Sequence, residues 1–256
     1  MTTPTVAFFG ATGDCAGYCL SSALKAGFNC IALARTPSKL TNSMKAKGVS
    51  TTTLDSHLTI VSGDVKDVST VQTALQLNGR VVDYIVSGIG GLPKLQWSLW
   101  EPVTLNDPTI CQDAGATILR ALQGLQVEQK PTFINVSTTG ISPRSVPRDV
   151  PLLFVPLYHW FLSVPHADKQ VLEEKLAAHT KLPEKERGLR AYVNVKPSLL
   201  MDGAGCGLQA VRVGVDEKPA VGYTIQRKDV GTFMFERLVK TGVPQEWLNK
   251  SVSVTY

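Results

Sequence analysis

Gly10, Gly13 and Ala16, evenly spaced after the apolar run Val6-Ala-Phe-Phe9, are the first residues of this chain whose types and spacing could do chemistry. Glycine at the first position permits a tight turn, and glycine at the second lets a backbone approach a pyrophosphate closely. A small third residue allows the next helix to pack against a strand. Free amides at the start of such a helix favour an anion. Gly10, Thr12, Gly13, Asp14 and Cys15 are therefore the expected cradle of a dinucleotide, and a plain strand-to-helix corner is the competing explanation. At the end of the next apolar run, where a carboxylate would grip the ribose hydroxyls of NAD, the chain carries Arg35, followed by Lys39 one turn into the next helix. Two cations there suit the 2′-phosphate of NADP(H), unless both are simply solvated surface charges. Asp64, with Val65 in the same turn, either receives the adenine amino group or caps the helix that starts near Lys66. Gly88, in Ser87-Gly-Ile-Gly-Gly91, would let the backbone lie against the adenosine or ribose.

Other chemistry-bearing residues are less determined. Trp97, Trp100, Tyr158 and Trp160 offer flat apolar surface with a few polar handles, which suits an aromatic substrate; lid packing or a dimer contact explains them equally well. Cys15 and Cys19 share a helical face, and a thiol in a first turn can be acidified. Their small apolar bulk also fills a helix-to-sheet contact, and core filling is the expectation. His166, titrating near neutrality, could donate a proton or bind substrate, or could with Asp168 only satisfy a helix start.

Elements that must position these residues alternate along the chain. Strands are expected at 6–9, 30–33, 58–61, 81–86, 132–136 and 191–195, with helices at about 14–26, 37–47, 67–77, 108–126, 166–179 and 228–240. The near-continuous apolar character of the strands fits burial on both faces, as in a parallel sheet. Two long irregular stretches, 88–107 and 138–157, follow strand ends, where open α/β sheets bind ligands. The fold expected is α/β, Rossmann-type and doubly wound, with a mostly parallel sheet and a small C-terminal substrate-binding subdomain. One domain spans 1–256, with its core at about 1–137 and 166–200 and lid and substrate elements at about 138–165 and 201–256. The segment 222–233 is expected as a short strand and a helix capping that subdomain.

Composition excludes several classes. With 43% hydrophobic and 18% charged residues, disorder is not expected. The net charge of +5 comes from scattered Lys and Arg, so no nucleic-acid groove is expected. No run is long enough to span a bilayer and no leader segment is evident, giving the expectation of a cytoplasmic protein without a membrane partner. Five cysteines, without any CxxC pair, argue against a disulfide framework and a metal site.

Taken together, Gly10-Ala-Thr-Gly13, Arg35 with Lys39, Gly63-Asp-Val65, the strand ending in Ser137-Thr-Thr139, and Val195-Lys-Pro-Ser-Leu-Leu200 resemble atypical short-chain dehydrogenase/reductases. The resemblance is nearest to NmrA-like NAD(P)-binding proteins frequent in filamentous fungi. Classical members of the wider family use a serine at the fifth strand's end and a Tyr-x-x-x-Lys pair on the following helix, a pattern from which this chain departs. Ser137 or Thr138 would supply the hydroxyl that polarises an acceptor, and Lys169 matches the lysine that holds the nicotinamide ribose. Its competing role is a surface pair with Glu173 one turn on. The tyrosine position holds Pro165 instead, so Tyr158 becomes a proton donor only if the helix breaks near Pro165 and folds 157–163 over the pocket. The resulting expectation is an NADPH-dependent reductase of a carbonyl or conjugated double bond in a small organic, aromatic or secondary-metabolic substrate. Two rivals share the fold: a cyclase or isomerase without a redox step, and a dinucleotide-sensing regulator with a protein partner.

Overall fold

A computed structural model describes residues 3–91, 93–95, 97, 103–125, 129–143 and 145–256. The first half runs β1 (Val6–Phe9), α1 (Asp14–Lys25), β2 (Cys30–Ala34), α2 (Pro37–Ala46), α3 (Thr51–His57), β3 (Leu58–Ser62) and α4 (Val68–Ala74). A short antiparallel pair, β4 (Gln76–Leu77) and β5 (Arg80–Val81), leads to β6 (Tyr84–Ser87). A second pair, β7 (Pro93–Leu95) and β8 (Val103–Leu105), precedes α5 (Ile110–Gln123) and β9 (Thr132–Val136). The remainder comprises α6 (Val155–Phe161), α7 (Ser163–Thr180), β10 (Ala191–Pro197), β11 (Leu199–Met201), β12 (Arg212–Val215), β13 (Thr224–Gln226), α8 (Arg227–Met234) and β14 (Lys250–Thr255).

Eight strands form the main sheet in the order β12-β14-β10-β9-β6-β1-β2-β3. All neighbours are parallel except the edge pair β12 and β14. The chain winds outward in both directions from β1, which creates a topological switch point between β1 and β6. The expected doubly wound α/β fold is therefore present. Side chains alternate across the strands. Val6, Phe8, Ile134, Val193 and Val252 pack with α1 and α8 on one face. Ala7, Phe9, Ile85 and Phe133 pack with α4, α5 and α7 on the other.

Several elements depart from expectation. The helix α3 arises in a polar, β-branched run of poor intrinsic propensity, with Ser50 capping it through Thr53 N and Leu54 anchoring it. The stretch 88–107, expected as irregular, holds the pair β7 and β8. Beyond 201, β14 pairs with β10 and β12 with β14, while α8 packs closely on α1. Much of the C-terminal segment expected as lid and substrate elements thus extends the core. Its backbone donors and acceptors complete a ladder that β10 would otherwise leave open. After β9, α6 stops at Phe161 and α7 starts at Ser163, with Pro165 inside the first turn, where its missing N–H costs no helical bond.

Candidate functional site

Along β1 the register pairs Phe9 with Leu33 on one side and Ser87 on the other, so the carboxyl ends of three strands stop at one level. Gly10 then turns with φ +74, a conformation open to glycine, and a Cβ there would stand 2.8 Å from Gly88 C and Ile89 N. Gly88 in turn lies against Ala16, whose Cβ would be 2.6 Å from a Cβ on Gly88. These contacts explain why three small residues are needed: two loops and a helix end meet with backbone in contact. Gly17 is also constrained, since a Cβ there would reach Ala11 O at 2.8 Å.

The result is a cleft of about 310 Å³ at the switch point, lined by Gly10, Thr12, Gly13, Arg35, Lys39, Asp64, Val65 and Gly88, eight of the expected cofactor residues. Asp14 and Cys15 are not among its lining residues. Lys47 holds the Asp14 carboxylate at 2.8 Å, which offsets a negative charge beside the expected anion site. Cys15 faces the core, and burial pushes its thiol up to about 12, so it is packing. Cys111 is likewise raised to about 12 by burial, and Cys19 and Cys30 are raised too. Asp64 lines the cleft while accepting from Lys66 N at 2.9 Å; the cap of α4 is Asp67, which accepts from Ser69 N at 3.0 Å. The capping alternative for Asp64 is therefore corrected.

Sequence reasoning missed the cleft's other wall. Lys66 reaches across to Asp107 at 2.8 Å and Asp113 at 3.5 Å. That hydrogen bond holds Asp107 below the usual carboxylate range, and Arg35 nearby lowers it further. Arg35 and Lys39 therefore form the cationic end, with the charge of Lys66 offset by the two aspartates. A glycine cradle and a cationic end fit a nicotinamide dinucleotide by shape and charge.

The expected catalytic residues lie elsewhere, around the end of β9. Lys169 donates to Val136 O at 2.7 Å. It makes no pair with Glu173; that role passes to Lys196 of β10, 3.1 Å from Glu173 Oε2. Ser137, 3% exposed, donates its hydroxyl proton to Glu173 Oε1. Thr138 donates to Thr139 O at 3.1 Å. At rest, both hydroxyl protons are thus engaged within the protein. The break before α7 does bring Tyr158 and His166 together, with ring centroids 5.3 Å apart. Both are buried, and burial raises the Tyr158 phenol. Asp168 lies beyond the first turn of α7 and does not satisfy that helix's start: its carboxylate accepts from Cys111 N and Gln112 N, both at 2.9 Å, at the start of α5.

The described members of the expected aromatic wall do not come together. Trp97 is fully exposed, Trp160 is 51% exposed, and Trp100 lies outside the described residues. Tyr158 lines a cavity of about 370 Å³ with Gly140, Ser142, Val146, Asp149 and Val155. Trp97 sits in the connection after β7, while Trp160 lies on α6 with its ring 6.2 Å from that of Phe161.

A family profile described as NAD(P)H-binding matches residues 10–241. The chain belongs to this NAD(P)H-binding family. Within it, the reductase pytE of Aspergillus terreus is 49% identical over 263 residues, spanning 99% of this chain and 98% of its own. The oxidase pynE of Aspergillus niger is 36% identical over 287 residues, spanning 100% and 99%. Among solved structures, the anaerobillin reductase ChuY of Escherichia coli O157:H7 has TM-score 0.64 at 18% identity, covering 98% of this chain and 96% of that one. The oxidoreductase ylbE of Lactococcus lactis has TM-score 0.63 at 19% identity, covering 98% and 90%. At such identities the structural likeness speaks for the fold. The family membership and the two fungal relatives together support an oxidoreductase that uses a nicotinamide cofactor. Among the described residues, no helix is long and apolar enough to cross a membrane.

Proposed function

We propose that this oxidoreductase uses NADP(H) and reduces a carbonyl or conjugated double bond of a small organic substrate in a secondary-metabolic reaction. The observation that carries the cofactor choice is that Arg35 and Lys39 line the same cleft as Gly10 and Gly13. Gly10, Thr12 and Gly13 would hold the pyrophosphate, Arg35 and Lys39 the 2′-phosphate, and Asp64 and Val65 the adenine. When bound, the cofactor supplies a hydride. The chain's own residues must supply the proton and the binding surface, for which the cavity beside Tyr158 is the candidate.

Titrating the protein with NADPH and NADH tests the cofactor reading. NADPH should bind more tightly, and Arg35→Ala should shrink that preference about tenfold, the scale of a charge-assisted contact. Equal affinities in the wild-type chain would remove the NADP assignment. A second reading, a dinucleotide sensor without turnover, draws support from the burial of Ser137, Tyr158 and His166. Tight NADPH binding with no oxidation by quinones, enones or flavins would favour it.

A further inference from the structure

On the α7 side of the sheet lies a charged chain that the cofactor cleft does not use. Asn135 and Ser137 follow the alternation of β9, and Asn194 and Lys196 that of β10, so all four face α7. Lys196 is 2% exposed and Glu173 12%. A buried ion pair is weak evidence for stability, because removing two charges from water offsets their attraction. Here the pair is one link of a longer path. Ser137 Oγ bonds Glu173 Oε1, and Glu173 Oε2 meets Lys196 Nζ at 3.1 Å. Lys196 Nζ donates to Ser142 Oγ at 3.2 Å, and Ser142 donates to Asp149 Oδ2 at 2.8 Å. Asp149 also accepts from Gly140 N at 3.0 Å, which ties down the loop. One end of this path is Ser137, two residues past Asn135, which pairs with Ser87 beside the cleft. The other end, Ser142 and Asp149, lines the 370 Å³ cavity with Tyr158.

We propose that Glu173, backed by Lys196, is the proton partner of Ser137, and that the path Ser137-Glu173-Lys196-Ser142 carries the proton that the missing helix tyrosine would have given. The inference rests on the reductase reading. For a carbonyl acceptor, hydride enters at carbon as the C=O π bond breaks. Lys196 Nζ first passes a proton to the Glu173 carboxylate, forming a neutral lysine and carboxylic acid; the acceptor oxygen then takes the proton of Ser137 Oγ as Ser137 takes the carboxylic proton, which returns Glu173 to the carboxylate. Solvent in the cavity restores Lys196 through Ser142, so one hydride and one buffer proton are consumed per acceptor. In the resting protein the Ser137 bond runs towards Glu173, and transfer reverses its sense. Burial raises the Glu173 carboxyl, while Lys196 and then Ser137 lower it. The groups facing it are Ser137 from β9, Lys196 and Tyr192 from β10, and Asp216 beyond β12.

Two measurements on the whole chain test the relay. In the protein without cofactor, the carboxylic-acid infrared band that vanishes in Glu173→Gln should titrate at higher pH in Ser137→Ala and Lys196→Met, since both partners favour the ionised form. An unmoved midpoint in Ser137→Ala overturns the coupling. In turnover with NADPH and menadione or 9,10-phenanthrenequinone, Glu173→Gln should lose about 100-fold in kcat while KM and NADPH affinity stay within about threefold. Glu173→Asp should recover part of the rate, and Glu173→Ala should be rescued by formate. If Glu173→Gln does not fold with Lys196 unpaired, Glu173→Gln/Lys196→Met carries the same kinetic test. A variant that matches wild type, or loses only affinity, overturns the relay alone. A wild-type chain that binds NADPH and reduces neither quinone overturns the reductase reading and the relay together.

Discussion

The cleft at the switch point and the polar layer beneath α7 lie at the same edge of the sheet and are built in opposite ways. In the cleft, backbone of consecutive residues does the positioning, and the charges of Arg35 and Lys39 stand exposed. Beneath α7, side chains from positions 137, 142, 149, 173 and 196 meet in a buried chain. Exposed cations need no fixed partner, since water solvates them. Buried ones need complete pairing, because an unpaired charge in a low dielectric is costly. Anion recognition by a turn is therefore a local property, whereas buried charge chemistry is a property of the whole packing.

Substitutions can break this comparison at either end. The largest effect is expected from Gly10→Val, which combines a positive φ with a Cβ 2.8 Å from Gly88 backbone. NADPH affinity should fall by more than about 100-fold by fluorescence titration, and the fold should lose on the order of 2 kcal/mol from the backbone conformation. Retained affinity would show that the turn does not form the cradle. Next comes Lys196→Met, which strands Glu173 and should cost about 3 kcal/mol in denaturant unfolding, while the double variant Glu173→Gln/Lys196→Met should recover most of it. If single and double variants unfold alike, the pair is not coupled. Asp168→Ala removes the carboxylate that accepts from two amides at the start of α5 and should cost about 2–3 kcal/mol, with hydrogen-exchange protection lost first at Cys111 and Gln112.

The smallest effect concerns pH. His179 is buried and accepts from Gly188 N at 2.8 Å, and burial lowers its pKa, with Arg187 adding to the shift. A lowered folded pKa contributes stability that is present above the unfolded value, near 6.5, and is lost as pH falls through the folded one. The melting temperature should therefore fall on acidification below about pH 6.5, and His179→Gln should flatten that limb. Glu173 has the opposite sign: its raised folded pKa contributes stability below the unfolded value, near 4.3, that is lost as pH rises through the folded one. A limb unchanged by His179→Gln would assign it to other groups.

Local signals carried much of the fold. The runs 6–9, 30–33, 58–61 and 132–136 each lie within observed strands, because apolar continuity bounded by turns is read along the chain. The boundary at 81–86 was misplaced: Val81 pairs with Gln76 in a short hairpin, and the sheet strand starts at Tyr84. The strands β12 and β14 were invisible, since mixed polar runs become strands by pairing at a sheet edge. Within the site, Gly10, Gly13 and Arg35 were legible from spacing. Glu173 left a weak signal, four residues after Lys169 on one helical face, and Lys196 another, a lysine inside the apolar run 191–197.

By itself, then, the sequence determined the turn: Gly10 takes a positive φ and Ala16 packs close to Gly88, since both requirements are steric and confined to a few residues. Only the tertiary structure decided that Lys169 would bond a backbone carbonyl, that Asp168 would cap a different helix, and that Glu173 would join Ser137 to Lys196. Those partners are tens of residues apart, and their pairing is enforced by the cost of burying any one of them alone.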